Sequence, residues 1–149
     1  MAKRKTNLHL IGRREYVDFP LLNLSNYEAK IDTGAYTSSI HCEKIGINYE
    51  NSKAILYFTI EPDSDKSFRF ENYTTKKIKN SFGEMEERFV IKTIINLGGK
   101  KIWSRISLSN RDTMRYPVLI GRRILKGKFL IDVNKIHTGG IKLNNAFNN

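Results

Sequence analysis

The chain is poor in cysteine and has no long apolar run. Its 149 residues contain one cysteine, so no disulfide can form within the chain. A lone thiol suits a reducing compartment. No segment approaches the about 20 apolar residues that span a bilayer, and no apolar stretch follows the basic residues 1–6, so no secretory signal is predicted. These absences predict a single cytoplasmic domain without a membrane anchor, large enough to bury a core without cross-links.

Motifs for metal and nucleotide binding are also missing. The three histidines, His9, His41 and His137, form no His-Glu-x-x-His pattern, and no Cys-x-x-Cys pair exists. His41 and Cys42 are neighbours, so on a strand their side chains would point to opposite faces. No glycine-rich loop of the kind that holds phosphates is present. We therefore expect no metal site, no cofactor and no intrinsic use of ATP.

Acidic residues are few compared with basic ones. The chain has 26 Lys and Arg against 15 Asp and Glu, a formal net charge of +11, which favours an acidic partner. The basic clusters are scattered, and we interpret most of them as solvated surface. The aromatic residues lie mostly in strand-like patterns, which argues against stacking on RNA. The clusters lie at residues 3–5, 13–14, 76–79, 100–101 and 122–123.

Strand signals dominate the chain. A long strand at residues 88–97 and another at 100–108 flank Gly98-Gly99, which predicts a tight hairpin. Further strands are predicted at residues 55–60 and 129–133, and short helices near residues 39–45 and 121–126. The pattern predicts a mainly β protein, either a small closed barrel or a folded double sheet.

The remaining segments predict loops and ends. Residues 61–79 are polar and predict mobile loops; these loops or the Gly98-Gly99 hairpin could cover a substrate as a flap, or the hairpin could be an ordinary surface turn. We expect a flexible basic arm at residues 1–7, one domain at 8–137 and a tail at 138–149.

One run carries chemistry. Asp32-Thr33-Gly34-Ala35 follows the apolar Ile31. Asp32 can activate water, Gly34 lets the backbone approach closely, and Ala35 leaves room for a facing carboxylate. The plain alternative is a turn with a solvated aspartate. A second segment, residues 116–125, predicts a buried strand through Leu119 and Ile120 followed by a helix that ends at Gly127; its resemblance to the pepsin and retropepsin fold implies that this strand returns beside the Asp32 loop.

Together these segments resemble the bacterial retropepsin-like aspartic peptidases, a family also labelled ATP-dependent zinc proteases and associated with ATP-grasp glutamate ligases. The resemblance covers about residues 8 to 135, and Cys42 departs from it, where a small residue is expected. The matching motifs are residues 11–15, 30–35, 37–38, 40–41, 86–91, 108–112, 119–122 and 129–132.

The resemblance implies a retropepsin-like closed barrel that works as a homodimer. Peptide hydrolysis by carboxylates needs two acids that share a proton, and a two-fold axis between two copies of Asp32 would supply them, with Thr33 bonding across the axis. Alternatively Asp112, or Glu86-Glu87, could support Asp32 within one chain. The family motifs add supporting or substrate-binding candidates: Thr37, Ser38, His41, Asp112 and Arg122.

The expected activity is therefore that of an aspartic peptidase acting on acidic substrates, such as glutamate-rich peptides or poly-glutamate tails on a protein. One rival is a non-catalytic module of the same shape that binds an acidic protein or RNA. Another is a zinc-dependent peptidase, as the family label suggests. Any dependence on ATP would belong to a ligase partner.

Overall fold

The computed structural model describes residues 7–79, 82–110 and 115–143. The fold is mainly β, with 59% strand and 5% helix. A 3-10 turn covers Pro20–Leu22. The other elements are, in chain order, β1 (His9–Gly12), β2 (Arg14–Phe19), β3 (Leu24–Ile31), β4 (Ser38–His41), β5 (Lys44–Glu50), β6 (Lys53–Thr59), β7 (Phe68–Phe70), β8 (Thr74–Lys79), β9 (Met85–Leu97), β10 (Lys100–Ser109), β11 (Val118–Ile120), α1 (Arg122–Leu125), β12 (Phe129–Asp132) and β13 (Ile141–Lys142).

Six strands close into a barrel. Their order is β10-β4-β11-β3-β2-β9, and β9 pairs back to β10 to complete the ring. The strand β10 shows why the sequence folds this way: Ile102, Ser104 and Ile106 are buried, and the residues between them are exposed. The predicted closed β barrel is confirmed.

The hydrophobic core is built by the barrel strands together with residues of β1, β6, α1 and β12. Every barrel strand contributes to it, and its largest fully buried side chains are aliphatic residues and two phenylalanines. The core therefore fixes the strands between which the candidate site lies. The largest of these side chains are Phe19, Phe58, Ile11, Ile40, Ile55, Leu56, Ile91, Ile95, Leu97, Ile106, Leu108 and Ile120.

The strand β9 extends beyond the part of it that belongs to the barrel. Its second half pairs with β10, and its first half pairs with β8, so β8 and β9 extend from the barrel as a two-stranded ribbon. Residues 61–79 thus contain β7 and β8, and the prediction of loops throughout this stretch was wrong. Phe68 and Phe70 hold β7 in place, with ring centroids 5.2 and 5.6 Å from that of Phe58.

The two helix predictions had different outcomes. Residues 121–126 contain α1, as predicted. The helix predicted near residues 39–45 is wrong, because that stretch contains β4 and the start of β5. The alternation of buried Ser38, Ile40 and Cys42 with half-buried Ser39 and His41 has the period of a strand.

The two ends of the described chain meet in a small sheet. The strand β1 pairs in parallel with β12 and antiparallel with β13, and the Leu143 amide donates to the Leu8 carbonyl at 3.2 Å. The proposed domain end at residue 137 stays a prediction, although ordered contacts continue to residue 143.

The Gly98-Gly99 hairpin is confirmed, and both glycines have the positive φ that its tight turn needs. It is a poor candidate for a flap, because a Cβ on Gly98 would lie 2.6 Å from Ile11 and 2.9 Å from Phe129. The turn therefore packs closely against the small sheet formed by β1, β12 and β13. Over the described ranges, no helix is long and apolar enough to cross a membrane.

Candidate active site

Asp32 leaves the barrel at the end of β3. The strand β11 runs parallel beside β3, with Ile120 opposite Ile31, and the Asp32 amide donates to the Ile120 carbonyl at 2.8 Å. The strand predicted through Leu119 and Ile120 therefore does return beside the Asp32 loop. This pairing brings two segments almost ninety residues apart into one site.

The turn fixes one oxygen of the Asp32 carboxylate. Oδ1 accepts hydrogen bonds from the amides of Gly34 and Ala35, both at 2.9 Å. In the part of the chain that the structure describes, Oδ2 has no hydrogen-bond partner, and the residue is partly exposed. One oxygen is thus held in place while the other is open to water, substrate or a second acid.

The start of α1 holds the loop from behind. Gly121 packs so closely that a Cβ there would lie 2.5 Å from the Thr37 carbonyl oxygen and 2.7 Å from that of Ala35. The Arg122 amide donates to the Ala35 carbonyl at 2.7 Å, and the Arg123 amide donates to Tyr36 at 3.1 Å. Loop carbonyls therefore satisfy amides that a helix start would otherwise leave unpaired.

Ser38 joins the loop to two barrel strands. Its buried hydroxyl accepts from the Gly121 amide at 2.9 Å, and its carbonyl accepts from the Ser107 hydroxyl at 3.2 Å. Thr37 precedes it and is half-buried. The sequence motif at residues 37–38 thus stands at the back of the Asp32 loop.

Arg122 contacts the loop through a backbone carbonyl. Its Nη1 donates to the carbonyl of Thr33 at 2.9 Å, and it pairs with no carboxylate among the described residues. The Thr33 hydroxyl makes no hydrogen bond within the same residues. Thr33, Gly34 and Tyr36 are exposed, so the tip of the loop faces outward.

Among the described residues, the candidate acids Glu86 and Glu87 and the histidine His41 make no contact with this carboxylate. Glu86 forms an ion pair with Arg88 at 2.8 Å, and Glu87 is exposed opposite Lys77 on the ribbon. Asp112 lies outside the described residues. His41 Nε2 is 3.0 Å from Glu43 Oε1, and its buried Nδ1 has no partner in the described structure.

Neither the cysteine nor the carboxylates of the described ranges form a metal site. Cys42 is fully buried, and burial raises the pKa of its thiol to about 12, so the thiol is protonated at neutral pH. Within residues 7–79, 82–110 and 115–143, no three His, Cys, Asp or Glu side chains lie together where they could hold a metal ion. The residues around Asp32 therefore do not fit the zinc of the family label.

A basic cavity of about 510 Å³ adjoins the loop at Thr37 and Ser38. Five cationic side chains line it, and none of its described lining residues is acidic. The strands β8, β9 and β10 supply three of these cations, and α1 with the turn after it supplies two. The five are Lys76, Lys92, Arg105, Arg123 and Lys128.

Two members of the basic clusters, Lys76 and Arg123, line this cavity with three further cations, whereas the interpretation of most cluster residues as solvated surface stays a prediction. Lys92 and Arg105 were not singled out in the sequence, although counting outward from the Gly98-Gly99 turn puts them opposite each other. Lys76 also reaches the loop, with its Nζ 5.7 Å from the centre of the Tyr36 ring. The β8–β9 ribbon thus leans toward the Asp32 loop.

The family with the description "Retropepsin-like aspartic endopeptidase RimB" matches residues 10–139. The chain belongs to this RimB-like family. A solved structure of a Legionella pneumophila protein of unknown function is 30% identical, has a TM-score of 0.70, and is matched over 87% of this chain and 97% of that chain. The likeness thus covers the barrel and the site together.

Curated relatives carry a different kind of name. A "Probable alpha-L-glutamate ligase" of Shewanella pealeana is 35% identical over 131 residues, which is 85% of this chain and 29% of that protein. Proteins of the same name from Desulfotalea psychrophila and Parasynechococcus marenigrum are 36% and 31% identical over 83% and 88% of this chain. The chain spans less than a third of the length of these relatives, 28–29% in each case.

Proposed function

We propose that this protein is an aspartic peptidase whose catalytic carboxylate is Asp32. The observation that carries the proposal is the geometry of that side chain: two amides hold Oδ1, and Oδ2 has no partner among the described residues, on a loop whose tip is exposed. A positioned carboxylate with one open oxygen is what a general base for water requires. Membership of a retropepsin-like aspartic endopeptidase family supports the same assignment.

The second acid comes from a second copy of the chain. No described carboxylate of the same chain contacts Asp32, and the tip of its loop, Thr33 and Gly34, is exposed. A two-fold axis at this tip brings two Asp32 side chains together, where like charges share one proton. The Thr33 hydroxyl, which has no partner among the described residues, then bonds across that axis.

The reaction then needs only the two carboxylates and water. The ionised acid takes a proton from water as the water oxygen attacks the amide carbon, and the protonated acid gives its proton to the carbonyl oxygen. When the tetrahedral intermediate collapses, the acid that took the proton from water gives it to the leaving nitrogen, the other carboxylate takes a proton from a hydroxyl of the intermediate, and the C–N bond breaks. The products are a carboxylic acid and an amine.

The substrate is an acidic chain, such as a glutamate-rich peptide or a glutamate tail on a protein. A net charge of +11 and the basic cavity beside the loop favour such a chain. The name of the curated relatives, "Probable alpha-L-glutamate ligase", supports a functional link to an enzyme that handles the same amino acid.

The decisive experiment is Asp32→Asn, assayed by mass spectrometry on a glutamate-rich peptide. We expect the rate to fall by on the order of 10²–10⁴-fold or more, because the amide cannot act as a base. Asp65→Asn is the matched control: it makes the same change of charge at an exposed loop residue and leaves the rate unchanged.

Three results would contradict the proposal. Asp32→Asn retaining the wild-type rate would remove Asp32 from the chemistry. Loss of activity after prolonged chelation would show that the protein is a zinc-dependent peptidase. Tight binding of acidic peptides without cleavage by the wild type, over long incubations, would make it a binding module.

A further inference from the structure

The pair Lys92 and Arg105 breaks an ordinary rule of sheet pairing. These residues lie directly opposite each other on the antiparallel strands β9 and β10, and both are exposed. Residues in such a pair share one face of the sheet, with Cβ atoms about 4.5–5.5 Å apart. Like charges at that separation destabilise a sheet, so the pair works against the fold.

Neighbouring charges do not relieve this repulsion. Arg88 lies on the same face of β9, and Glu86 neutralises it at 2.8 Å. Lys92 and Arg105 have no carboxylate partner among the described residues. They line the 510 Å³ cavity together with Lys76, Arg123 and Lys128, so several positive charges converge there without a matching anion from the described chain.

The position and lining of the cavity indicate the ligand. Its volume lies in the range that accommodates a small ligand or a few side chains, and Thr37 and Ser38 connect it to the Asp32 loop. Trp103 is the one aromatic residue in its described lining, whereas sites for single-stranded nucleic acid stack successive bases on several aromatic residues. An acidic peptide fits these features better.

We infer that Lys92 and Arg105 are specificity-determining residues that bind side-chain carboxylates of an acidic peptide beside the Asp32 loop. The inference rests on the proposed function for the chemistry that follows binding. A carboxylate between the two cations removes their repulsion and gains charge-assisted hydrogen bonds. The same two residues therefore lower the stability of the peptide-free protein and raise the stability of its complex with the peptide.

The test is binding to an oligo-glutamate peptide in the Asp32→Asn background, which separates binding from hydrolysis. Trp103 is the only tryptophan of the chain and lines the cavity, so its emission reports occupancy, and calorimetry of the same titration measures the affinity. We expect saturable binding, and we expect Lys92→Gln and Arg105→Gln each to weaken it about ten-fold or more. Oligo-glutamine should not bind.

Matched variants isolate the role of charge in the cavity. Lys101→Gln removes one charge from β10, the strand that carries Arg105, at a position outside the cavity lining. This variant should change the affinity less than two-fold. Lys92→Arg and Arg105→Lys keep the charge and should retain binding. In the absence of peptide, Lys92→Gln with Arg105→Gln should melt at the same temperature as the parent or higher, which also shows that the variant folds.

The outcomes distinguish this inference from the proposed function. If oligo-glutamate binds in the cavity but the wild type cleaves nothing, the inference stands and the peptidase proposal fails. If the wild type cleaves acidic peptides but both glutamine variants bind as tightly as the parent, the inference fails alone. Tighter binding of oligouridylate with the same sensitivity to the variants would overturn the peptide assignment in favour of RNA.

Discussion

Glu15 is a buried carboxylate that works as a backbone anchor. Its side chain is 1% exposed and has no cationic partner in the described ranges. Oε2 accepts from the Gly12 amide at 2.7 Å and from the hydroxyl and amide of Thr138 at 2.6 and 3.2 Å, and Oε1 accepts from the Gly139 amide at 3.0 Å. One side chain thus fastens the C-terminal segment to β2.

We expect Glu15→Gln to lower the free energy of unfolding by about 1–3 kcal/mol, because an amide nitrogen would face donors that need an acceptor. Urea denaturation measures this. Glu28→Gln is the control on the paired strand β3, where the partners His137 and Arg14 are solvent-accessible, and its cost should stay below about 1 kcal/mol. Equal costs for the two variants would refute the anchoring role.

Residue-scale chemistry was partly predictable from the sequence. The Asp32 loop was predicted because each of its residues has a chemical reason to stand where it does. The role of Glu15 was not, because its partners Thr138 and Gly139 lie more than 120 residues away. Arg122 was expected to support the loop or to bind substrate; it contacts the loop through the Thr33 carbonyl, and its role toward a substrate stays a prediction.

At the scale of elements, the junction between β11 and α1 determines where the Asp32 loop lies. Gly121 has no room for a side chain, since the nearest atoms are backbone carbonyls of the loop that cannot rotate away. Three amides at this junction, those of Gly121, Arg122 and Arg123, donate to the loop and its flank. The loop therefore depends on a helix only four residues long.

We expect Gly121→Ala to cost about 1–3 kcal/mol of stability through overpacking and, by displacing the loop, to reduce the rate about 100-fold. Urea denaturation and peptide cleavage measure the two effects. Gly46→Ala is the matched control, since a Cβ there meets nothing within 4 Å, and both quantities should stay near wild type. Unchanged cleavage by the Gly121 variant would show that the junction does not position Asp32.

The elements themselves were predicted unevenly. The hairpin at Gly98-Gly99 and the strands on either side followed from glycine chemistry and alternation. The strand β8 is an edge strand whose six residues are mostly polar and exposed, so it lacks the apolar alternation that identifies a half-buried strand. The stretch near residues 39–45 was misassigned as helix because β4 has only four residues, too few to reveal the two-residue alternation of a strand in the sequence.

At the scale of the whole molecule, barrel closure brings the basic residues together. The cations of the cavity come from β8, β9, β10, α1 and the turn that follows α1, and no local sequence pattern joins these segments. The pairing register of β9 and β10, counted from the Gly98-Gly99 turn, is enough to predict the Lys92–Arg105 pair. The contribution of Arg123 and Lys128 follows only from the closed barrel.

The proposed two-fold site makes activity depend on assembly. We expect the specific activity to fall on dilution, in step with the loss of dimer in sedimentation experiments, because each chain supplies one Asp32. Mixing wild type with an excess of Asp32→Asn should also silence the wild type through mixed dimers. Specific activity that stays constant from the micromolar range down to concentrations where only monomer sediments would rule out a shared site.

The hydrogen bond between Leu143 and Leu8 has a consequence for larger architectures. A polypeptide that enters the small sheet at Leu8 and leaves it at Leu143 does so at a single spot, with β1 lying between the strands β12 and β13. Such a unit can be inserted into a longer protein as a domain without interrupting any of its barrel strands. Its curated relatives, in which the matching segment is under a third of the whole, are chains of that longer kind.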